Sequence, residues 1–165
     1  MSDKKINTLK QFLSATQVEK NNMFDQGAEK SLVKDIKNQL ISKETDSIQL
    51  SLHLIRKLKL HETIPTLFKN VKVLNAADPM GSGIDPVSLI IELGDHNFNA
   101  IMDCVSEEPT DENIRMAAKI LFHWFVKDPD KLEKITSERS KSNSKAEEAV
   151  LKQVKAELET YNKSK

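Results

Sequence analysis

The segment TDENIRMAAKILFHWF, residues 110–125, has the clearest amphipathic pattern of the chain. Thr110 occupies an N-cap position, where a hydroxyl can accept a hydrogen bond from a backbone N–H of the first turn. Trp124 lies beside the apolar side of the segment, and we expect it to be a buried core residue. The apolar side itself repeats at helical spacing and consists of Ile114, Ala117, Ala118, Leu121, Phe122 and Phe125. The segment therefore predicts an amphipathic helix.

Similar patterns precede this segment. Apolar residues within 32–41 repeat at i, i+1, i+4, i+8 and i+9, which is one stripe of a helix. A second apolar run covers residues 48–58, and its length and Lys content favour a helix over a strand. Thr63 followed by Pro65 predicts the start of a third helix, because proline is tolerated in a first helical turn.

Turn signals follow these helices. Residues 78–83, DPMGSG, form the strongest break in the chain. Asp85-Pro86 then predicts a short helix that Gly94 ends, because Asp caps helices, Pro favours the first turn and Gly favours the C-terminal end. Asn97 could open one more helix.

The composition changes on the C-terminal side of residues 110–125. We expect Asp128-Pro129 to end that helix, and beyond it the chain is rich in Lys, Glu and Ser. Ser144 and Glu147 match a capping box, which predicts a final helix. Its apolar stripe is narrow, and an isolated helix of this kind is only marginally stable in water.

The composition also limits the possible classes of protein. The chain has 165 residues, enough for one domain with a hydrophobic core, and only 4 Gly and 5 Pro argue against an all-β fold. Lys and Arg number 25, as do Asp and Glu, and this balance is weak support for nucleic-acid binding. The single cysteine excludes an internal disulfide and a cysteine-cluster metal site. We expect neither a signal peptide nor a membrane-spanning segment.

No residue pattern predicts an active site. The four histidines, His53, His61, His96 and His123, form none of the short motifs that bind zinc. His53 and His123 lie in apolar helices and are interpreted as structural, and Cys104 as a small buried residue. Residues 81–83, Gly-Ser-Gly, lack the nearby Lys and the preceding strand of a phosphate-binding loop. We expect no catalytic residue, no cofactor and no metal, and hence a protein that is not an enzyme.

Charge is unevenly distributed along the neutral chain. Between residues 56 and 72, Glu62 is accompanied by five basic residues, namely Arg56, Lys57, Lys59, Lys69 and Lys72. From Asp78 to Glu112 there are nine acids and no Lys or Arg. These charges are either ordinary solvated helix faces or a surface that steers a charged partner. Both interpretations stay open at this point.

Two segments resemble the N-terminal domain of the transcription elongation factor TFIIS, a family that includes the integrase-binding domains of chromatin tethers. In LIRKLKLHETIPTL, residues 54–67, a Leu-rich helix ends in basic residues and is followed by a Leu, a short break, a Thr and a second helix. In NIRMAAKILFHW, residues 113–124, the family's Ala-Lys pair, Leu and interior Trp are matched by Ala118, Lys119, Leu121 and Trp124.

The helical patterns, the composition and the resemblance together divide the chain into three parts, of which the resemblance covers residues 29–128. Residues 1–28 would hold an N-terminal helix and a polar linker. Residues 29–128 would form a compact right-handed bundle of about five helices, with an extra helix or long loop at 78–109 that the family pattern lacks. Residues 129–165 would be a charged helical tail outside the core. The fold class is therefore expected to be all-α.

The resemblance also implies a function. Family members bind short disordered segments of transcription or chromatin factors in the nucleus, with an apolar anchor held between helical hairpins. Transferred to this sequence, the peptide site would lie at the turn between the first two bundle helices. The residues implied are Ile41, Lys43, Leu67, Phe68, Lys69 and Lys72. Leu67 and Phe68 would form the apolar wall, one of them partly exposed, and the lysines would form a positive rim.

Two other classes compete with this interpretation. A generic helical adaptor of the armadillo or HEAT type is the first, although the sequence has no repeat of fixed period, which stacked helix pairs should show. A nucleic-acid-binding protein that uses the basic residues of 56–72 is the second, although the neutral total charge argues against it. Steeply salt-dependent affinity for DNA or RNA would distinguish the second class.

Overall fold

The computed structural model describes residues 30–139 and 144–165. Within these residues all regular structure is helical, with eight α-helices, two short 3-10 turns and no strand. The prediction of an all-α fold is confirmed. The N-terminal helix expected within residues 1–28 lies outside the described residues. In the part of the chain described, no helix is both long and apolar enough to cross a membrane.

The helices follow one another through short connections. In chain order they are α1 (Lys30–Leu40), α2 (Thr45–Leu58), α3 (Ile64–Ala77), α4 (Pro86–Leu93), α5 (Phe98–Glu107), α6 (Asp111–Phe125), α7 (Pro129–Glu138) and α8 (Lys145–Lys163). The 3-10 turns His61–Thr63 and Asp95–Asn97 lead into α3 and α5. The chain divides into two units, one up to Leu89 and one from Ile90 to Lys165, and the division falls within α4.

The first unit is built on α1, which packs against both α2 and α3. From residue 30 onwards its interior is aliphatic with one aromatic ring, and the most fully buried side chains are Leu32, Ile36, Leu40, Ile48, Leu52, Ile55, Ile64, Leu67, Phe68 and Leu74. Each helix contributes residues at helical spacing, as the apolar stripes predicted. Pro65 lies in the first turn of α3, also as predicted.

The second unit is built on α6, which packs against α5, α7 and α8. The side-chain hydroxyl of Thr110 accepts a hydrogen bond from the Asn113 backbone N–H at 3.2 Å, so the predicted N-cap of α6 is confirmed. Asp85 likewise caps α4 by accepting from the Ser88 N–H at 2.8 Å. Gly94, with φ +94°, follows the end of α4 in a conformation that glycine adopts most readily.

The C-terminal residues belong to the core of the second unit, so the expectation that residues 129–165 lie outside it is wrong. Leu132 of α7 is 1% exposed, and Val150 and Val154 of α8 are fully buried. α8 packs on two helices, α5 and α6. Its narrow apolar stripe can therefore be buried completely, which makes α8 part of the core.

Asp128-Pro129 was expected only to end the helix over 110–125, and it also begins one. Pro129 lies in the first turn of α7, and Asp128 accepts a hydrogen bond from the Lys131 N–H at 3.3 Å. This is the same Asp-Pro arrangement that opens α4. The α7 sequence PDKLEKITSE is polar, and only Leu132 is buried, which explains why apolar periodicity does not indicate it.

Trp124 is not the fully buried anchor that the sequence analysis expects. Its side chain is partly exposed, and its indole Nε1–H donates to the Ile91 carbonyl oxygen at 2.9 Å. The adjacent Phe125 is fully buried and packs edge-to-face with Phe98, with ring centroids 6.3 Å apart. Trp124 therefore lies at the margin of the core, where its polar N–H has a partner and its side chain is partly exposed.

Candidate functional site

The turn between α1 and α2 is where the sequence analysis places a peptide site. The C-terminal end of α1 is closed by the Ser42 backbone N–H and hydroxyl, which both donate to the Gln39 carbonyl oxygen, at 3.1 and 2.7 Å. Lys43 then adopts φ +65°, a left-handed conformation that is uncommon for residues with a side chain. Within this turn Ile41, which directly follows α1, is 55% exposed, whereas Leu40 at the end of α1 is fully buried.

One hydrogen bond ties this turn to the end of α3. The Thr45 hydroxyl, in the first turn of α2, donates to the Ala77 carbonyl oxygen at 3.2 Å. Val73 lies one helical turn before Ala77 and is 44% exposed. The Thr45–Ala77 hydrogen bond therefore places the Ile41 end of α1 and the Val73 end of α3 at the same end of the first unit.

The loop 78–83 follows α3 and is held by its own aspartate. The Asp78 carboxylate accepts hydrogen bonds from the Gly83 N–H at 2.8 Å and from the Ser82 N–H and hydroxyl, each at 3.2 Å. The Gly83 N–H, with a smaller effect from Ser82, lowers the pKa of the Asp78 carboxyl. Because these N–H groups point at Asp78, they do not form a cradle for phosphate.

Gln49 of α2 fixes the other side of the loop. Its side-chain oxygen accepts a hydrogen bond from the Ile84 N–H at 3.1 Å. The backbone of Gly83 lies so close to this amide that a Cβ there would come within 2.4 Å of three of its atoms. A side chain at position 83 would therefore displace the Gln49 amide from its present position. The loop is ordered on both sides, and Met80 at its tip is 87% exposed.

Ile41, Val73 and Met80 together form what we call the exposed apolar patch. Among the described residues only one other large apolar side chain, Tyr161, is comparably exposed, and it belongs to the second unit. Lys43 lies two residues before α2, and Lys69 and Lys72 lie on the exposed side of α3 with Val73. Each of these lysines lies within four residues of Ile41 or Val73 in the sequence, so positive charge accompanies the exposed apolar side chains and would attract acidic groups.

The six residues predicted from the sequence fall into two groups. Ile41 and the three lysines are exposed. Leu67 and Phe68 are 0% and 1% exposed, so the expectation that one of them is partly open is wrong. The cause is the wide apolar face of α3, on which Ile64, Leu67, Phe68, Val71 and Leu74 are all buried. Val73 and Met80 were missed because an exposed apolar residue looks like a core residue in the sequence.

A polar cluster in the second unit was also missed. Glu147, at the start of α8, is 4% exposed, and its carboxylate accepts hydrogen bonds from Arg139 and from the Ser106 hydroxyl at 2.7 Å. Arg139 also donates to Asp103 at 2.7 Å and to Asn99 at 3.1 Å. The hydrogen bond with Glu147 is the main cause of the raised pKa of the Arg139 guanidinium. The cluster joins α5 and α8 to the end of α7, and its residues have structural partners throughout.

Contacts within each unit account for part of the acidic stretch 78–112. Asp95 is paired with Lys131 of α7, and Asp103 with Arg139. Asp78 and Asp85 accept hydrogen bonds from the backbone of the residues that follow them. These four acids serve the fold, which favours the interpretation of this stretch as structural over that of a steering surface.

The remaining candidates for chemistry are dispersed. Cys104 is 2% exposed, as expected of a small buried residue. His53 and His123, which the sequence analysis interprets as structural, are exposed on α2 and α6. Across residues 30–139 and 144–165, no group of three or more His, Cys, Asp or Glu side chains is placed to hold a metal ion.

Comparisons with known proteins give no further guide, since no family model, no curated protein and no solved structure matches this chain. The exposed apolar patch and its lysines are therefore the features of the molecule that bear on function.

Proposed function

We propose that the protein is a non-enzymatic interaction module that binds short disordered segments of partner proteins at the exposed apolar patch. The observation that carries this proposal is the presence of Ile41, Val73 and Met80 at one end of the first unit, with exposed fractions of 55%, 44% and 87%. Such side chains gain free energy when a partner removes them from water. The resemblance to the TFIIS N-terminal domain adds the setting, which is transcription elongation or chromatin in the nucleus.

The size and stiffness of the patch suit a short segment better than a folded domain. Three large side chains can supply a few hot-spot contacts, each worth about 2 kcal/mol. A disordered segment loses conformational freedom on binding, so the net affinity is modest and the complex reversible. The Asp78 and Gln49 hydrogen bonds hold the Met80 loop in place beforehand, which lowers the ordering cost on the side of this protein.

The charge beside the patch indicates the chemistry of the segment. Residues 30–89 contain nine Lys and Arg against six Asp and Glu. Lys43, Lys69 and Lys72 are exposed next to the patch. We therefore infer that the bound segment carries an apolar anchor flanked by Asp or Glu. These flanking charges would mainly speed association, and salt would weaken their effect.

Site-specific photo-crosslinking tests the proposal. A photoreactive residue replaces Met80 in the full chain, and a matched chain carries it at Leu151, a partly exposed residue of α8. Nuclear extract is irradiated with each, and the crosslinked segments are identified by mass spectrometry. We expect the Met80 position to capture disordered segments with an apolar residue between acidic ones, and the Leu151 position not to.

Substitution of the patch provides the second half of the test. A synthetic peptide of a captured segment is titrated against the wild-type chain and against Ile41→Ser, Val73→Ser and Met80→Ser. Each substitution should weaken binding about tenfold or more if the residue is a hot spot. Equal binding by all four chains, or chemical-shift changes confined to residues 90–165, would contradict the site. Capture of DNA or RNA with steep salt dependence would favour the nucleic-acid alternative.

A further inference from the structure

The second unit contains an open groove at the C-terminal ends of α6 and α8. The groove has a volume of about 470 Å³ and is lined by Phe122, Gln153, Ala156, Glu157, Thr160, Tyr161 and Ser164. The Phe122 and Tyr161 rings pack edge-to-face with their centroids 5.9 Å apart. Tyr161 remains 38% exposed, so part of its ring is accessible from solvent. The groove belongs to a different unit from the exposed apolar patch.

A cation already occupies the face of the Tyr161 ring. The Lys165 ammonium nitrogen lies 4.7 Å from the ring centroid, which is within the range of a cation–π interaction. The groove lining contains one carboxylate, Glu157, and no Lys or Arg. The aromatic face, the carboxylate and the seated ammonium group all favour a positively charged occupant.

We propose that this groove binds a lysine or arginine side chain of a partner protein, and that Lys165 is an internal competitor for the same position. The aliphatic stem of such a side chain would lie along Phe122 and Ala156, as long cationic side chains do on apolar surfaces. Its charged head would lie over Tyr161 and near Glu157. The occupant is thus opposite in charge to the segment proposed for the patch in the first unit, and the two proposals are independent.

The test uses the full chain and a matched pair of peptides. The first is acetyl-Ala-Leu-Arg-Leu-Ala-amide, and the second carries citrulline, a neutral isostere, in place of arginine. Because the chain has one tyrosine, selective labelling of Tyr161 gives a single reporter signal in NMR titrations. We expect saturable shifts of Tyr161 and Phe122 with the arginine peptide, and about two- to five-fold weaker binding of the citrulline peptide.

Four variants distinguish specific recognition of the cationic side chain from weak non-specific binding. Lys165→Ala should tighten binding of the arginine peptide about two- to five-fold, because the competitor is removed. Tyr161→Leu should weaken it by a similar factor, while Tyr161→Phe keeps the aromatic face and should change little. Lys163→Ala removes an exposed lysine of the same helix. It should change the affinity for the arginine peptide only by the small effect of removing one positive charge from the protein.

Several outcomes would overturn the proposal. Equal binding of the two peptides would show that charge is not recognised, and an unchanged or weaker affinity of Lys165→Ala would show that Lys165 is no competitor. Shifts of Tyr161 that depend on protein concentration without peptide would identify a second copy of the chain as the occupant. Shifts confined to residues 41–80 would assign the arginine peptide to the first unit.

Discussion

Arg139 and Glu147 form a two-point ion pair across residues 140–143, with Arg139 Nη2 donating to Glu147 Oε1 at 2.7 Å and Nε donating to Oε2 at 3.1 Å. The Glu147 side chain is 6% exposed and the Arg139 side chain 16%. Two parallel hydrogen bonds between a guanidinium and a carboxylate fix both position and orientation. The pair therefore sets where α8 begins relative to the end of α7.

Removing Glu147 should destabilise the second unit strongly. Glu147→Ala leaves the Arg139 charge mostly buried without its main partner, and breaking such a pair costs about 3 kcal/mol or more. The raised pKa of Arg139 means that this charge persists at every pH of the measurement. The free energy of unfolding is measured by denaturant titration. Glu148→Gln, an exposed neighbour on α8, is the matched control and should change it by less than about 0.5 kcal/mol. Similar values for the two variants would contradict a structural role for the pair.

The loop 78–83 should loosen in acid. The hydrogen bonds from Gly83 and Ser82 lower the pKa of Asp78 below its ordinary value, so they stabilise the loop above about pH 4 and are lost as the pH falls through the lowered pKa. Hydrogen exchange of the Gly83 amide should speed up in this range. The Ile84 amide donates to the uncharged Gln49 side chain and is the internal control. In Asp78→Asn the Gly83 amide should exchange faster already at neutral pH. A ratio of the Gly83 to the Ile84 exchange rate that does not change with pH would contradict this explanation.

Replacing Ser51 should stabilise the first unit. Its hydroxyl is fully buried on α2 and has no hydrogen-bond partner within the described part of the chain. A buried unsatisfied polar group costs about 1–3 kcal/mol, and alanine is also the better helix former. Ser51→Ala should therefore raise the free energy of unfolding by about 1 kcal/mol. His53→Ala, at an exposed position of the same helix, measures the helix-propensity gain alone. An increase for Ser51→Ala no larger than that for His53→Ala would refute the explanation.

Local chemistry explains which elements the sequence predicts. The caps Asp85 and Thr110 each accept from the backbone N–H three residues ahead, so they are visible in a short stretch of sequence. Asp128-Pro129 carries the same signal, and α7 was missed only because its apolar content is low. Ser144 accepts from the Glu147 N–H at 3.5 Å, so the serine half of the predicted capping box is present as a weak bond.

Partners distant in the sequence explain what it does not predict. Glu147 fits a capping box by spacing, yet its carboxylate is bound by Arg139 and Ser106. Nothing near Glu147 in the sequence identifies Ser106. The same limit applies to the candidate site, because Val73 and Leu74 are adjacent apolar residues of α3, one 44% exposed and the other 2%. Only the packing of α3 decides which of them a partner can reach.

The contributions of Trp124 and Phe125 to the core of the second unit can be compared by substitution. Phe125 is fully buried, so Phe125→Ala should cost about 3–5 kcal/mol. Trp124 is partly exposed, and Trp124→Phe should lose mainly the hydrogen bond to Ile91, worth about 1 kcal/mol. Circular dichroism is the suitable probe, because the chain has a single tryptophan and its fluorescence is lost in the variant. If Trp124→Phe lowered the free energy of unfolding more than Phe125→Ala, Trp124 would be the more important core residue, as the sequence analysis expects.

The last helix should prove necessary for the second unit. Val154 is fully buried on α8, and Val154→Ala should lower the free energy of unfolding by about 2 kcal/mol, whereas Leu151→Ala on the partly exposed side should cost much less. A chain ending at residue 139 loses Val150, Val154 and the Glu147 partner of Arg139 together. Hydrogen exchange should then show α5 and α6 without the slow amides of a cooperative core. Retained protection in those two helices would mean that α8 only covers a core that is complete without it, as the sequence pattern alone had suggested.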